Sequence, residues 1–346
     1  MKYRYLGSTG VRVSQLCLGA MMFGAWGNPD HDDSVRIIQK AIDGGINFID
    51  TADVYSAGES EEIVAKAIAG QRDHLVIATK VHGPMGEDPN MTGNSRRWII
   101  QECDNSLRRL GTDYIDLYQI HRPDPHIDID ETLGALTDLV RQGKVRYLGS
   151  STFPPAEIVE AQWVAEKRGR ERFVCEQPPY SMLVRGVEAE VLPTCQRYRM
   201  GVIPWSPLGG GWLSGRWRKG ASSDELTSRR ATRIPARYDL SKPENQAKLE
   251  AATALADLAD EAGISLIHMA LAFVLQHPAV TSAIIGPRTA EHLDSQMGAV
   301  DVTLEPEVLD RIDRIVPPGK NFSFADAGYE PPGVAAAWSR RRPARG

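Results

Sequence analysis

A repeated phrase restricts the fold of this chain more than any other feature. A short apolar run is followed by a stretch whose apolar residues recur at helical spacing, and then by a glycine stop. The runs fall at 16–19, 46–50, 75–80, 114–121, 145–151, 173–177, 200–205 and 281–285. Between them, Val35, Ile38 and Ile42 mark one helix face. Ile99, Cys103, Leu107 and Leu110 mark another, and Leu133, Leu136 and Val140 a third. Gly44, Gly70, Gly111 and Gly143 supply stops. Ser60, Ser95 and Asp130 stand where N-caps are expected, and Pro154 and Pro155 open a helix as first-turn prolines do. Alternation with short connections implies parallel strands and right-handed crossovers. Eight such units predict an α/β fold of the closed (β/α)8 TIM-barrel type. A small N-terminal β-hairpin precedes it, with 3–6 and 11–13 flanking Gly7, Ser8, Thr9 and Gly10. A unit length of about forty residues also suits a solenoid, but no residue motif recurs between units.

Residues 1–316 are therefore read as one barrel, and 317–346 as a C-terminal loop and tail. The stretch 209–243, opening with three glycines and then rich in Arg and Ser, is a long irregular segment after the seventh strand. In a compact barrel such a loop belongs to the active face. The run Arg340, Arg341, Arg342 is read as solvated tail. A chain of 346 residues with 42% hydrophobic and 25% charged residues suits one large globular domain, and a net charge of −5 leaves no footprint of a nucleic-acid or anionic-membrane partner. The N-terminus lacks the apolar core of a signal peptide, and the longest apolar-rich run, 269–275, is too short to span a bilayer. Cys17, Cys103, Cys175 and Cys195 form no CxxC and are read as reduced core thiols. A cytoplasmic location follows as the default, and a homo-oligomer is left open.

Parallel strands of a barrel end at one mouth, so the residues that close them meet in space. These are Asp50, with Tyr55 just beyond it, then Lys80, His121, Ser151, Gln177, Trp205 with Ser206, and Gly286. Lys80 shares a strand face with Val76 and Ala78, and His121 with Ile115 and Leu117, so both cap inward apolar columns. An inward Lys needs a partner, and Asp50 is the natural one. A tyrosine hydroxyl beside a Lys⁺ and a positioned His makes a proton donor for a carbonyl oxygen, with hydride arriving from a bound cofactor. No metal is needed.

The contexts FIDTADVYSAGESE, IATK and DYIDLYQIHRPD, carrying Asp50, Tyr55, Lys80 and His121, resemble the aldo-keto reductase superfamily from the hairpin to about Ile315. VIPWSPLGGGWLSG, after EQPPYSM, is most similar to bacterial relatives of voltage-gated potassium channel β-subunits. The resemblance implies an eight-stranded barrel binding extended NADP(H) without a Rossmann motif, and indeed no GxGxxG occurs. It makes Tyr55 the proton donor, Lys80 the group that tunes it, Asp50 the holder of Lys80, and His121 the group that orients the carbonyl. Ser151 and Gln177 would hold the nicotinamide carboxamide, and Trp205 would stack on the ring. Ser206, Leu208, Leu213 and Gly215 would line the pyrophosphate with Arg216 near it, and Gly286, Arg288, His292 and Gln296 would bind the adenosine end. This chain departs from the family pattern at Thr152, usually Asn, and at His292 and Gln296, usually Gln and Asn.

Met21, Met22, Phe23 and Trp26, with the loop 82–92, are expected to wall the substrate pocket. They suit a partly apolar aldehyde or ketone, and a keto-sugar as well. Two alternatives stand beside this reading. One is a redox-sensing regulatory subunit that binds NADP(H) and turns over slowly. The other is a metal-dependent barrel hydrolase built on His121, Asp124, His126, Asp128 and Asp130, with the blander reading that this run is a loop closed by a capping acid.

Overall fold

The computed structural model describes residues 1–219, 234–335 and 340. The eight apolar runs form one parallel sheet: β3 (Leu16–Gly19), β4 (Phe48–Asp50), β5 (Val76–Val81), β6 (Ile115–Ile120), β7 (Val145–Ser150), β8 (Phe173–Glu176), β9 (Gly201–Val202) and β10 (Ala283–Ile285). Their order is β10-β3-β4-β5-β6-β7-β8-β9. The first and last members of that row are joined as well: Val202 bridges Val280, Thr281 N donates to Val202 O at 2.8 Å, and Ile284 N to Pro204 O at 3.0 Å. The sheet thus curls into the barrel that the alternation predicts.

The hairpin β1 (Tyr3–Tyr5) and β2 (Arg12–Ser14) pairs antiparallel. Its turn is pressed against the sheet so closely that a Cβ on Gly7 would lie 2.6 Å from Gly201 N and 2.7 Å from Val174 O. Only glycine, here at φ +57°, fits such an approach. Leu6 and Val13 thereby join an inner core with Cys17, Phe48, Ala78, Leu117, Cys175, Ile203 and Ile284. A much larger outer core lies between sheet and helices. Each fully buried Leu, Ile or Phe contributes roughly 1.5–3 kcal/mol, so the two cores hold the strand ends in place. Of the residues expected to share His121's inward face, Leu117 lies in the inner core while Ile115 packs in the outer one. All four cysteines are buried and free.

The helix Arg96–Leu110 forms as its pattern predicts: Ser95 accepts from Trp98 N, Ile99 and Cys103 are buried, and Gly111 ends it at φ +62°. Two expected caps are corrected. Ser60 is not an N-cap. The helix Glu59–Ile68 has its N-cap two residues earlier, at left-handed Gly58, and Ser60 is buried with its Oγ donating to Ala20 O at 2.9 Å. Asp130 is not one either. Asp128 caps the helix Ile129–Arg141 by accepting from Asp130 N at 2.9 Å, which frees the Asp130 carboxylate for Arg170 at 2.9 Å.

Among the described residues, the crossover from β9 to β10 carries the helices Pro243–Glu261 and Leu266–Gln276, which the pattern does not predict. No single described helix is long and apolar enough to cross a membrane. Within the irregular stretch 209–243, residues 220–233 lie outside the described residues, as do Arg341 and Arg342, while Arg340 is exposed. The segment after Pro317 returns to the barrel: Arg185 N donates to Lys320 O at 2.9 Å, and Val184 bridges Asn321. It also reaches the mouth, where a Cβ on Gly328 would stand 2.6 Å from Trp205 Cζ2.

Candidate active site

Asp50 ends β4 and Lys80 is the next-to-last residue of β5, both pointing inward at the mouth. Their side chains are fully buried and joined at 2.6 Å. Lys80 Nζ also donates to Thr51 O at 2.7 Å and to Tyr55 Oη at 3.4 Å. Burial works against the ammonium, but the charge of Asp50, the nearby Tyr55 and the hydrogen bonds to both outweigh it, so its proton is held above the usual lysine range. Tyr55 is presented by a tight turn. Ser56, Ala57 and Gly58 follow it in left-handed backbone at φ +51°, +57° and +96°. Two of these are not glycine, a costly conformation that is characteristic of constrained sites. Ser56 Oγ accepts from Trp26 N at 3.1 Å, which fixes the turn against the preceding loop.

His121 follows β6, with its ring edge-on to Tyr55 at 5.7 Å between centroids. Burial, then the charges of Arg122, Lys80 and His82, keep its pKa well below the ordinary value, so the imidazole is neutral. Two buried amides complete the floor. Gln119 Nε2 and Gln177 Nε2 donate to Asp50 Oδ2 at 3.1 and 2.8 Å, and Gln177 Nε2 also donates to Gln119 Oε1 at 3.2 Å. Gln177 is thus already engaged through its nitrogen. Gln119 was not among the expected residues, though its inward register between Leu117 and His121 was a signal. Ser151 Oγ donates to Gln177 O at 3.0 Å. Thr152 has φ +62°, a backbone that Asn tolerates and a β-branched residue resists.

Directly behind Gln177, Glu176 is fully buried, accepting from Ser150 Oγ at 2.5 Å and Phe153 N at 3.2 Å. Burial pushes its carboxyl from 4.5 up to about 7, against those hydrogen bonds. The folded chain therefore keeps this proton where the unfolded chain has lost it. The stability it contributes is full below the unfolded value and declines as pH rises toward about 7. Glu176→Gln removes the ionisation. In thermal melts the variant is expected to gain on the parent between pH 5 and pH 8, with a ceiling of about 3 kcal/mol. A difference that does not change with pH would show that this carboxyl does not titrate in that range.

On the far side of the mouth, Trp205 and Ser206 follow β9, Ser206 with φ +56°. Leu208 is half-buried, and Gly215 is exposed at φ +88° with no atom near the place of a Cβ. Leu213 does not fit its expected role: its side chain is fully buried in the outer core and its N–H donates to Leu208 O at 3.1 Å. Gly286 is exposed, and Thr289 caps the helix Ala290–Met297 by accepting from His292 N. Gln296 is buried, its amide turned back onto His292 O at 2.6 Å. Burial, then the charges of Arg288 and Arg216, lower the His292 pKa. Neither arginine makes an ion pair among the described residues, and Asp294, a potential partner for Arg288, is taken by Lys40 at 2.6 Å. Arg216 follows the exposed Gly215 and Arg288 precedes the helix that starts at Ala290, and guanidiniums and helix N-termini are groups that suit phosphate.

The residues expected to wall the pocket lie at different depths. Trp26 lies 5.9 Å from the Tyr55 ring, and Met21 and Met22 are half-buried. Phe23 is corrected: it is fully buried in the outer core. The loop 82–92 is closed at its base by Gly93 N donating to His82 O at 2.8 Å. The acids after His121 are spread among local tasks. Asp124 Oδ1 accepts from His126 N, Asp128 caps a helix, and Asp130 holds Arg170. Among the described residues no three His, Cys, Asp or Glu side chains converge as metal ligands.

The family model described as "Aldo/keto reductase family" matches residues 15–317. The "Uncharacterized oxidoreductase YrpG" of Bacillus subtilis (strain 168) is 43% identical over 329 residues, 92% of this chain and 96% of that protein. The "Putative voltage-gated potassium channel subunit beta" of Schizosaccharomyces pombe is 35% identical over 336 residues, 94% of this chain and 95% of that protein. The "Versiconal hemiacetal acetate reductase" of Aspergillus parasiticus is 33% identical over 337 residues, 90% and 96% respectively. With its barrel, its strand-end residues and a match that spans most of its length, the chain belongs to the aldo/keto reductase family.

Proposed function

We propose that this chain is an NADP(H)-dependent oxidoreductase that reduces an aldehyde or ketone, keto-sugars included, to an alcohol, with Tyr55 as proton donor. The observation that carries the reading is Tyr55 Oη 3.4 Å from Lys80 Nζ, itself locked on Asp50 at 2.6 Å. When NADPH is bound, it supplies the hydride to the carbonyl carbon. Tyr55 gives its proton to the carbonyl oxygen, and the Lys80 ammonium stabilises the charge left on the phenol. Neutral His121 offers a ring N–H to the same oxygen and orients it. Ser151 and Gln177 would hold the carboxamide, and Trp205 would supply the aromatic face for the ring. Ser206, Leu208, Gly215 and Arg216 would line the pyrophosphate, while Gly286, Arg288 and His292 would bind the adenosine end. Oxidation of NADPH by a panel of aldehydes, ketones and keto-sugars tests the reaction, and a panel with no substrate would overturn it. The similarity to a channel β-subunit favours a second reading, a regulatory subunit that senses redox state. Bound cofactor with negligible turnover across the panel would select that one.

The cofactor preference rests on Arg288. A charge-assisted hydrogen bond to the 2′-phosphate of NADP(H) has no counterpart in NAD(H). Arg288→Ala is expected to weaken NADPH binding by roughly ten- to a hundredfold in a fluorescence titration, with NADH affinity nearly unchanged. Equal weakening of both cofactors, or a parent protein that prefers NADH, would reject this role.

A further inference from the structure

Arg122, directly after His121, has no role in the chemistry proposed above. Its guanidinium bends back over the mouth: Nη1 donates to His121 O and lies 3.4 Å from Ser151 Oγ. Nε and Nη2 have no acceptor among the described residues, and no carboxylate there comes within ion-pair distance. The carboxyl that it feels is Glu176, which is already held by Ser150 and Phe153. Burial pulls the guanidinium below its ordinary range, only partly offset by Tyr55 and Glu176, and Arg237 adds to the effect. Arg stays protonated all the same. A half-buried guanidinium with two open donor groups, beside the residues that face the carbonyl, is short of an anion. Removal from water costs free energy that a carboxylate or phosphate oxygen would offset.

We propose that Arg122 is the specificity-determining group of the substrate pocket, and that the preferred substrates are carbonyl compounds that also carry an oxyanion, a carboxylate or a phosphate. The proposal rests on the reading of this mouth as a carbonyl-reducing site, with Trp26 beside Tyr55 supplying an apolar wall for the remainder of the substrate.

Two matched pairs test it: 4-carboxybenzaldehyde against benzaldehyde, and glyceraldehyde 3-phosphate against glyceraldehyde. For each, the ratio of kcat/KM, anionic over neutral, is measured with NADPH in the parent and in Arg122→Gln. A ratio cancels any general loss in the variant. The parent is expected to favour at least one anionic partner by roughly ten- to a hundredfold, and Arg122→Gln to bring that ratio near one. The pair that responds distinguishes carboxylate from phosphate. Calorimetric binding of 4-(hydroxymethyl)benzoate and of glycerol 3-phosphate, against benzyl alcohol and glycerol, reads the same preferences without turnover. An anion preference in binding that is lost in the variant, with no turnover in the parent, would support the anion site and reject carbonyl reduction. Ratios that are the same in parent and variant would overturn the proposal. Should Arg122→Gln fail to fold by circular dichroism, Arg122→Lys carries the test. A point charge in place of a planar fork is expected to keep only part of the preference, and a ratio equal to the parent's would overturn the proposal.

Discussion

Tyr55→Phe is expected to lower turnover by roughly two to four orders of magnitude, the usual contribution of a positioned acid. The ring that packs between Trp26 and His121 stays, at centroid distances of 5.9 and 5.7 Å, and only the hydroxyl 3.4 Å from Lys80 Nζ is lost. The left-handed residues behind it keep their support, because Ser56 Oγ still accepts from Trp26 N. Fold and cofactor affinity should therefore change little, and the loss should fall on kcat rather than on binding. Steady-state kinetics with the best aldehyde of the panel, beside a cofactor titration, check both halves. A variant that reduces carbonyls at nearly the parent rate would place the proton donor elsewhere. One that loses activity only through weaker cofactor binding would make Tyr55 a structural residue.

The inward direction of Lys80 and Asp50 was legible because a strand has period two: two apolar residues fix a face, and the charged residue inherits it. The barrel was legible for a related reason, since alternation with short links leaves few topologies. That Asp50 and Gln177 share the mouth was legible in the same way, but which atoms pair there was not. Gln119 and Gln177 reach Asp50 across 69 and 127 residues, and strand register brings them to one mouth without specifying which atoms pair. The start of the helix after Tyr55 was misread for a local reason. Ser60 has the chemistry of a cap, but three left-handed residues bring the chain into the helix at Gly58 and turn the serine inward. Phe23 was placed by loop membership and Leu213 by the family resemblance, whereas burial decides individual side chains, and both face the outer core. The return of the tail to Trp205 depends on a glycine at a single point of close approach, which composition does not reveal.

Lys80→Met should abolish most turnover and also destabilise the fold. The variant removes the cation beside Tyr55 and leaves Asp50 Oδ1 in the inner mouth without its partner at 2.6 Å. Breaking one side of a buried ion pair costs about 3–5 kcal/mol, because the remaining charge is uncompensated. Here Gln119 and Gln177 still donate to Asp50 Oδ2, so the lower end of that range is expected. The two effects separate in the double variant Lys80→Met/Asp50→Asn. A neutral amide at position 50 takes away the orphaned charge, so much of the lost thermal stability should return, while turnover should stay low because no cation faces the phenol. Thermal melts and NADPH oxidation on parent, single and double variants make the comparison. Stability that fails to return would mean that packing around Lys80, rather than charge, is what the single variant disrupts. Turnover that returns with the double variant would mean that Tyr55 needs no ammonium beside it, and the pairing of Lys80 with Tyr55 would then be incidental to the chemistry.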